Sequence, residues 1–130
     1  MVIAILIGRK GSKGFPNKNL YKVLGKSLAF YPMRVAKNCP EIDKTYLSTD
    51  DGELMKLARE NGIEIIKRPP GLCTDEALGE KIYRHAYNYV KKRVNRRKIE
   101  IVVLLMCNAA TIISETISKG IKVLRENPDY

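Results

Sequence analysis

The sequence predicts an α/β fold built on a mainly parallel sheet with helices on both faces. Strand-like and helix-like segments alternate along the chain, and Val2–Ile7 and Ile99–Met106 are predicted as apolar strands. An apolar strand without polar alternation is typical of a parallel sheet whose two faces are both covered. The 130 residues are enough for one domain, and we expect a single domain over residues 1–130.

Each predicted element has a local reason in the sequence. The first strand stops at Gly8, and Gly8–Lys18, with three glycines, one proline and four basic residues, is predicted to be a loop. A helix ends before Cys39-Pro40, and Asp50 or Asp51 is placed to cap the next one. The elements expected after the loop are helix Ser27–Asn38, strand Lys44–Ser48, a helix followed by Gly62, strand Ile63–Ile66 closed by Arg68–Gly71, a helix capped by Thr74 or Asp75 that runs into the basic stretch Lys91–Lys98, strand Ile99–Met106 and helix Ser114–Arg125.

The charge balance indicates an anionic partner. Lys and Arg total 24 against 14 Asp and Glu, which gives a formal net charge of +10. This excess does not distinguish nucleic acid, nucleotide, acidic sugar and membrane. No apolar run is long enough to cross a bilayer, and no basic residue precedes the apolar start of the chain. The three cysteines form neither a disulfide framework nor a paired metal motif. We therefore expect a cytoplasmic protein without a membrane partner.

The loop after the first strand is the strongest functional pattern. Its glycines allow backbone amides to approach an anion, and its cations neutralise that anion, as a triphosphate requires. The spacing is neither that of a P-loop nor that of G-x-G-x-x-G, and a basic surface loop without function remains the alternative. In parallel sheets ligands bind at the carboxyl ends of the strands. Those ends are expected to carry Gly8–Lys18, Ser48-Thr49-Asp50, Arg68-Pro69 and Cys107-Asn108.

The loop also resembles a known family. The pattern Arg9-x-Gly11-Ser12-Lys13-Gly14, followed by Lys18-Asn19, is similar to the N-terminal signature of the CMP-N-acetylneuraminate synthetases, the acylneuraminate cytidylyltransferases. This resemblance implies a Rossmann-like, three-layer α/β/α nucleotide-diphospho-sugar transferase fold. It also implies an enzyme that joins CTP to an acidic, sialic-acid-like sugar and releases pyrophosphate. Four further segments resemble the family in the same order: Gly25–Leu28, Leu47–Asp51, Arg68–Asp75 and Ile101–Leu105.

The resemblance implies roles for individual residues. Such reactions are catalysed mainly by positioning and by charge neutralisation, and Lys13 and Lys18 would neutralise the triphosphate and the departing pyrophosphate. Arg68 would lie near the cytidine. Asp50, Asp75 and Asn108 are additional candidates, with helix capping as the alternative for Asp75 and a plain turn for Asn108. The implied nucleotide-binding residues are Arg9, Gly11, Ser12, Lys13, Gly14, Lys18, Asn19 and Arg68.

The chain departs from the family in ways that leave its substrate open. Met106–Thr111 stands where the family has Q-P-T-S-P, and Leu78-Gly79 replaces a usual pair of serines. The family's acidic metal-binding motif and dimerisation segment would follow Tyr130, so we expect a truncated product or a reduced relative that is weakly active or inactive alone. The family implies Mg²⁺, with ligands expected beyond residue 130, and a homodimer for the full-length protein.

Two other functions remain open. One is a nucleotidyltransferase of the same architecture that uses a different base or sugar. The other is a basic nucleic-acid-binding domain, which is disfavoured because the basic residues gather in two places and no recognised RNA or DNA motif is present. We accordingly expect CTP and an acidic sugar as partners, and no nucleic acid.

Overall fold

A parallel sheet forms the middle layer of the protein. The structure, a computed structural model, describes residues 1–10, 18–74, 79–94, 98–109 and 111–129. Within these ranges the strands are β1 (Val2–Ile7), β2 (Lys22–Val23), β3 (Lys26–Ser27), β4 (Lys44–Thr49), β5 (Glu64–Lys67) and β6 (Ile101–Met106). The helices are α1 (Phe30–Asn38), α2 (Gly52–Glu60), α3 (Gly79–Val94) and α4 (Ser114–Glu126), and 3-10 turns occur at Lys18–Leu20 and Pro70–Leu72. No helix in these ranges is both long enough and apolar enough to span a membrane.

The order of the strands is that of a Rossmann-like fold. The four-stranded sheet has the order β5-β4-β1-β6, and every neighbouring pair is parallel. From β1 the chain moves outward through β4 to β5, and it then returns to the other side of β1 as β6. The direction of winding therefore reverses between β1 and β6. In open parallel sheets, ligands bind outside the carboxyl ends of the strands at such a switch point.

Helices cover both faces of the sheet, which confirms the predicted α/β/α layers. Alternate residues of β1 point to opposite faces because a strand has a period of two. Val2, Ala4 and Leu6 pack in one apolar cluster with residues from α1, α2 and α4. Ile3 and Ile5 pack in a second cluster with Ala86 and Val90 of α3, on the other face.

The N-terminus of α2 is capped by Asp51 rather than Asp50. The backbone of Asp51 is extended, and its carboxylate accepts a hydrogen bond from the Glu53 amide at 2.9 Å. The Asp51 amide in turn donates to the Thr49 hydroxyl at 3.0 Å. Asp51 is buried, so the start of the helix is held firmly against the end of β4. This arrangement leaves Asp50 available for other contacts.

The first predicted helix begins later than the sequence pattern suggested. Lys22–Ser27 forms the antiparallel hairpin β2–β3, and α1 starts at Phe30 instead of Ser27. The hairpin turns at Leu24 and Gly25, which have φ values of 51° and 80°. Positive φ at both central residues is typical of a tight two-residue hairpin turn. Gly25 was the sequence signal for this hairpin, and the helical spacing of the following apolar residues obscured it.

The last predicted strand is shorter and more exposed than expected. It begins at Ile101 rather than Ile99, and Glu100, the residue before it, forms a salt bridge of 2.8 Å with Arg125 of α4. Leu104 and Met106 are 50% and 53% exposed, although the apolar pattern predicted burial. The physical reason is position: β6 is an edge strand with β1 on one side only, so less of its surface is covered.

The carboxyl ends of β1 and β6 touch at Gly8. A Cβ atom at Gly8 would lie 2.7 Å from Cys107 Sγ and 3.1 Å from Leu54 Cδ1. The Cys107 amide donates to the Ile7 carbonyl oxygen at 3.0 Å, which continues the pairing of the two strands into the turn. A glycine is required here for space, since no side chain fits between the strand ends.

Replacing Gly8 with alanine should lower the free energy of unfolding by about 1–3 kcal/mol through overpacking. Urea denaturation measures this loss. The double variant Gly8→Ala/Cys107→Ala removes the nearest clashing atom, so its loss should be smaller than the sum of the two single losses. Additive losses would contradict the proposed clash.

Replacing Asp51 with alanine should lower the free energy of unfolding by about 1 kcal/mol, because the Glu53 amide loses its acceptor. Chemical denaturation followed by far-UV circular dichroism measures the change. Asp51→Ser is the matched control, since serine is also a good N-cap residue and should retain most of the stability. Equal losses in the two variants would argue against capping.

Candidate nucleotide site at the carboxyl edge of the sheet

The four strand ends carry the predicted site segments to one edge of the sheet. Gly8–Lys10 follows β1, Asp50 follows β4, Arg68 follows β5, and Cys107-Asn108 follows β6. Parallel pairing places these carboxyl ends side by side, so the prediction of a shared edge is confirmed. Gly8–Lys10, which comes before segment 11–17 in the chain, begins next to the switch point.

The central residues of the predicted phosphate loop lie outside the described residues. Gly11, Ser12, Lys13 and Gly14 belong to that segment, so their predicted roles stay predictions. Asp75 lies outside the described residues as well.

The two ends of the loop are described. Arg9 is half-buried and Lys10 is exposed. Lys18 and Asn19 are half-buried in a 3-10 turn that contacts α2. The Asn19 carbonyl oxygen accepts a hydrogen bond from the Ala29 amide at 2.9 Å. This bond connects the end of the loop to the residue that precedes α1.

Arg68 is a buried cation that joins β4 to β5. Arg68 as a whole is only 5% exposed. Nε donates to the Ser48 hydroxyl at 3.2 Å, Nη2 donates to the Ser48 carbonyl oxygen at 3.1 Å, and Nη1 donates to the Leu72 carbonyl oxygen at 3.5 Å. A guanidinium has five N–H donors, and its bonds to the described residues use three of them. Its predicted contact with cytidine stays a prediction.

The charges of Asp50 and Arg9 both act on Arg68. Burial lowers the pKa of the Arg68 guanidinium, the Asp50 carboxylate opposes that shift, and the charge of Arg9 adds to it. Within the described ranges no carboxylate lies within 4 Å of Arg68. Because arginine stays protonated even when it is buried, this edge of the sheet carries a permanent positive charge. Such a site favours an anionic ligand.

Asp50 contacts the start of the predicted phosphate loop. Its Oδ1 atom accepts a hydrogen bond from the Lys10 amide at 2.7 Å. Cys73 lies close to it: burial raises the pKa of the Cys73 thiol, and the charge of Asp50 raises it further. Asp50 thus connects the end of β4 with the loop that follows β1, and the structure brings Arg9, Asp50 and Arg68 to the same side of the switch point.

The β6 side of the switch point is mainly apolar. Cys107 is buried, and burial raises the pKa of its thiol to about 12, so the thiol is neutral at physiological pH and packs rather than reacts. The Tyr83 hydroxyl donates to the Leu105 carbonyl oxygen at 3.2 Å, and burial raises the pKa of Tyr83 to about 12. Asn108 is exposed in the turn after β6.

Sequence reasoning gave no individual role to three residues of this site, although it placed Gly8 and Ser48 at the strand ends. Ser48 binds Arg68 through both its hydroxyl and its carbonyl oxygen, and Gly8 allows the strand ends to meet. Cys73 lies beside Asp50. A polar residue at the end of a buried strand was the signal for Ser48. The spacing of Gly8 and Cys73 held no comparable signal, because their neighbours come from distant parts of the chain.

The described residues do not form a metal site. In ranges 1–10, 18–74, 79–94, 98–109 and 111–129, no three His, Cys, Asp or Glu side chains are arranged to hold a metal ion. The adjacent carboxylates of Asp50 and Asp51 accept hydrogen bonds from the Lys10 and Glu53 amides. This finding does not bear on the Mg²⁺ ligands that the family resemblance places beyond residue 130, and those ligands stay a prediction.

Comparison with known proteins identifies the family. Residues 3–130 match a family model described as "Cytidylyltransferase". The chain is 33% identical over 85 residues to the N-acylneuraminate cytidylyltransferase of Escherichia coli O18:K1:H7, a match that covers 65% of this chain and 20% of that protein. It is 36% identical over 77 residues to the enzyme of the same name from Streptococcus agalactiae serotype III, covering 58% of this chain and 19% of that protein.

A solved structure has the same fold. It is described as CMP:2-keto-3-deoxy-manno-octonic acid synthetase complexed with CTP, and it superposes with a TM-score of 0.77 at 17% sequence identity. The match covers 98% of this chain and 48% of that one. The chain thus spans about half the length of this structure, and its match spans 20% of the Escherichia coli relative. Since the family model matches nearly every residue and the sheet has the corresponding Rossmann-like order, the chain belongs to the cytidylyltransferase family.

Proposed function

We propose that this chain forms the nucleotide-binding part of an enzyme that transfers a cytidylyl group from CTP to an acidic sugar. The observation that carries the proposal is the family match over residues 3–130, in a fold that has Gly8–Lys10 at the end of β1 and a buried arginine, Arg68, at the end of β5. The names of the relatives, N-acylneuraminate cytidylyltransferases, support a sugar of the sialic-acid class.

The proposed reaction is a displacement at phosphorus. A hydroxyl oxygen of the sugar forms a bond to the α-phosphorus of CTP, and the bond from that phosphorus to the oxygen bridging to the β-phosphate breaks. Pyrophosphate leaves with that oxygen, and the hydroxyl proton passes to solvent. Phosphoryl transfer of this kind depends on positioning and on neutralising charge.

Basic residues of the predicted phosphate loop would supply that neutralisation. Lys13 and Lys18, as compact point charges, would offset the charge of the triphosphate and the leaving pyrophosphate. Arg9 would strengthen the same field, and the amides of Gly11–Gly14 would approach the phosphate oxygens. The N–H donors of Arg68 that bond neither Ser48 nor Leu72 would serve the cytidine.

The basic stretch that suggested nucleic-acid binding has a local explanation. Lys91, Lys92 and Arg93 lie in the last turn of α3, where cations interact favourably with the helix dipole. Arg93 also stacks over the Tyr89 ring, with 4.5 Å between the guanidinium carbon and the ring centroid. Lys91, Lys92 and Arg93 thus have a local role in α3, which favours the enzyme over the nucleic-acid-binding domain.

We expect the purified chain to bind CTP in preference to UTP, GTP and ATP when titrated by calorimetry with and without Mg²⁺. Lys13→Ala and Lys18→Ala should each weaken CTP binding about tenfold or more, since a charge-assisted hydrogen bond contributes about 1.5–3 kcal/mol. Lys122→Ala is the matched control, because Lys122 is exposed on α4, near the Arg125–Glu100 pair at the opposite end of β6.

The same titrations can contradict the proposal. Equal CTP affinity in the parent and both loop variants would remove the loop from the site. Preference for another base would favour the alternative nucleotidyltransferase. The second alternative is a different sugar, because the chain departs from the family at Met106–Thr111, and a screen of sugars for pyrophosphate release tests it. Absence of binding to any nucleotide would refute the role of this chain. Mg²⁺, a cytoplasmic location and a homodimer remain parts of the proposal, and the titrations without Mg²⁺ test the first.

A further inference from the structure

We propose that Asp50 is a positioning residue that holds the start of the phosphate loop at a fixed place relative to Arg68. This inference rests on the proposed nucleotide-binding function and assigns a task to a side chain that does not itself bind the nucleotide. Asp50 follows the last residue of β4, between the loop after β1 and the buried guanidinium after β5.

The first part of the argument is the contact with the loop. The Lys10 amide donates to Asp50 Oδ1 at 2.7 Å, a short bond to a carboxylate acceptor of the stronger, charge-assisted kind. Lys10 is the residue directly before segment 11–17, so this bond determines where the loop leaves the sheet. The neighbouring Gly8 amide is also held by β4, through the Ser48 carbonyl oxygen at 3.2 Å.

The second part is that the same strand end holds Arg68. The Ser48 carbonyl oxygen accepts from Arg68 Nη2 at 3.1 Å as well as from the Gly8 amide, and the Ser48 hydroxyl accepts from Arg68 Nε at 3.2 Å. Ser48 and Asp50 belong to one short stretch of backbone whose middle residue, Thr49, is fully buried. The start of the loop and the guanidinium are therefore both hydrogen-bonded to the same short segment, Ser48–Asp50.

The third part concerns charge. A carboxylate beside a triphosphate site repels the ligand, so its charge alone would weaken nucleotide binding. The hydrogen bond from the Lys10 amide to Asp50 offsets this repulsion, because a loop that is already oriented binds phosphate without the entropic cost of ordering. If Asp50 acted only through its charge, replacing it with an uncharged residue would strengthen CTP binding. If Asp50 positions the loop, replacing it with a residue that cannot accept from the Lys10 amide would weaken CTP binding.

The experiment compares Asp50→Asn with Asp50→Ala. Asparagine keeps an oxygen that accepts from Lys10 but removes the charge, whereas alanine removes both. We expect Asp50→Ala to weaken CTP binding about tenfold and to accelerate hydrogen exchange of the Lys10 amide about tenfold, in line with loss of a charge-assisted hydrogen bond. Asp50→Asn should remain within about threefold of the parent in both measurements, because the net value of an ordinary hydrogen bond is retained.

The matched control is Glu53→Gln. Glu53 is exposed in the first turn of α2, so this change removes a negative charge close to the same strand end without touching Lys10 or Arg68. It should leave CTP affinity and Lys10 exchange near the parent values. Calorimetry measures the affinity, and amide exchange followed by NMR measures the loop contact in the free protein. If Asp50→Ala does not fold, Asp50→Glu displaces the carboxylate instead, and we expect it to accelerate Lys10 exchange.

The outcomes separate this inference from the proposed function. Tighter CTP binding by both Asp50→Asn and Asp50→Ala would mean that the carboxylate acts only through its charge, and the inference would be overturned. Unchanged Lys10 exchange in Asp50→Ala would overturn it as well. A parent chain that binds no nucleotide would refute the proposed function, and Lys10 exchange would still decide whether Asp50 holds the loop.

Discussion

The absence of a side chain at Gly8 allows the two strands on either side of the switch point to end in contact. Any larger residue would force Cys107 or Leu54 away from this position, since a Cβ would come within 2.7 Å of the Cys107 sulfur. The close approach keeps β6 beside β1 up to its last residue. The loop after β1 and the turn after β6 therefore begin side by side, and the ligand-binding edge depends on this geometry.

The Ser48 carbonyl oxygen is the second point on which the edge depends. It accepts hydrogen bonds from both the Gly8 amide and the Arg68 guanidinium, which uses both lone pairs of one oxygen. A buried cation without such partners would be costly, and here backbone and hydroxyl oxygens satisfy it while its charge remains uncancelled at short range. This edge of the sheet therefore combines a buried positive charge with a hydrogen-bonded frame.

Local patterns predicted most of the elements and failed where tertiary position decided the outcome. The pattern of β1 was sufficient because it is a central strand, buried on both faces. Nearly the same pattern in β6 led to a wrong expectation of burial for Leu104 and Met106, which an edge strand leaves exposed. The hairpin at Lys22–Ser27 was missed because helical spacing in the following segment outweighed the turn signal of Gly25.

The order of elements, the basic glycine-rich loop and the family could all be read from the sequence, because each is written in contiguous residues: alternating apolar segments, Gly8–Lys18 and motifs at fixed spacing. The hydrogen-bond partners of those residues could not be read from the sequence. Asp50 and Asp51 are chemically identical neighbours, yet one caps α2 and the other holds the Lys10 amide. Arg68 was predicted to be a site residue, but its bonds to Ser48 depend on the parallel pairing of β4 with β5. Only the folded sheet decides these assignments, because hydrogen-bond partners distant in sequence become neighbours when the strand ends converge.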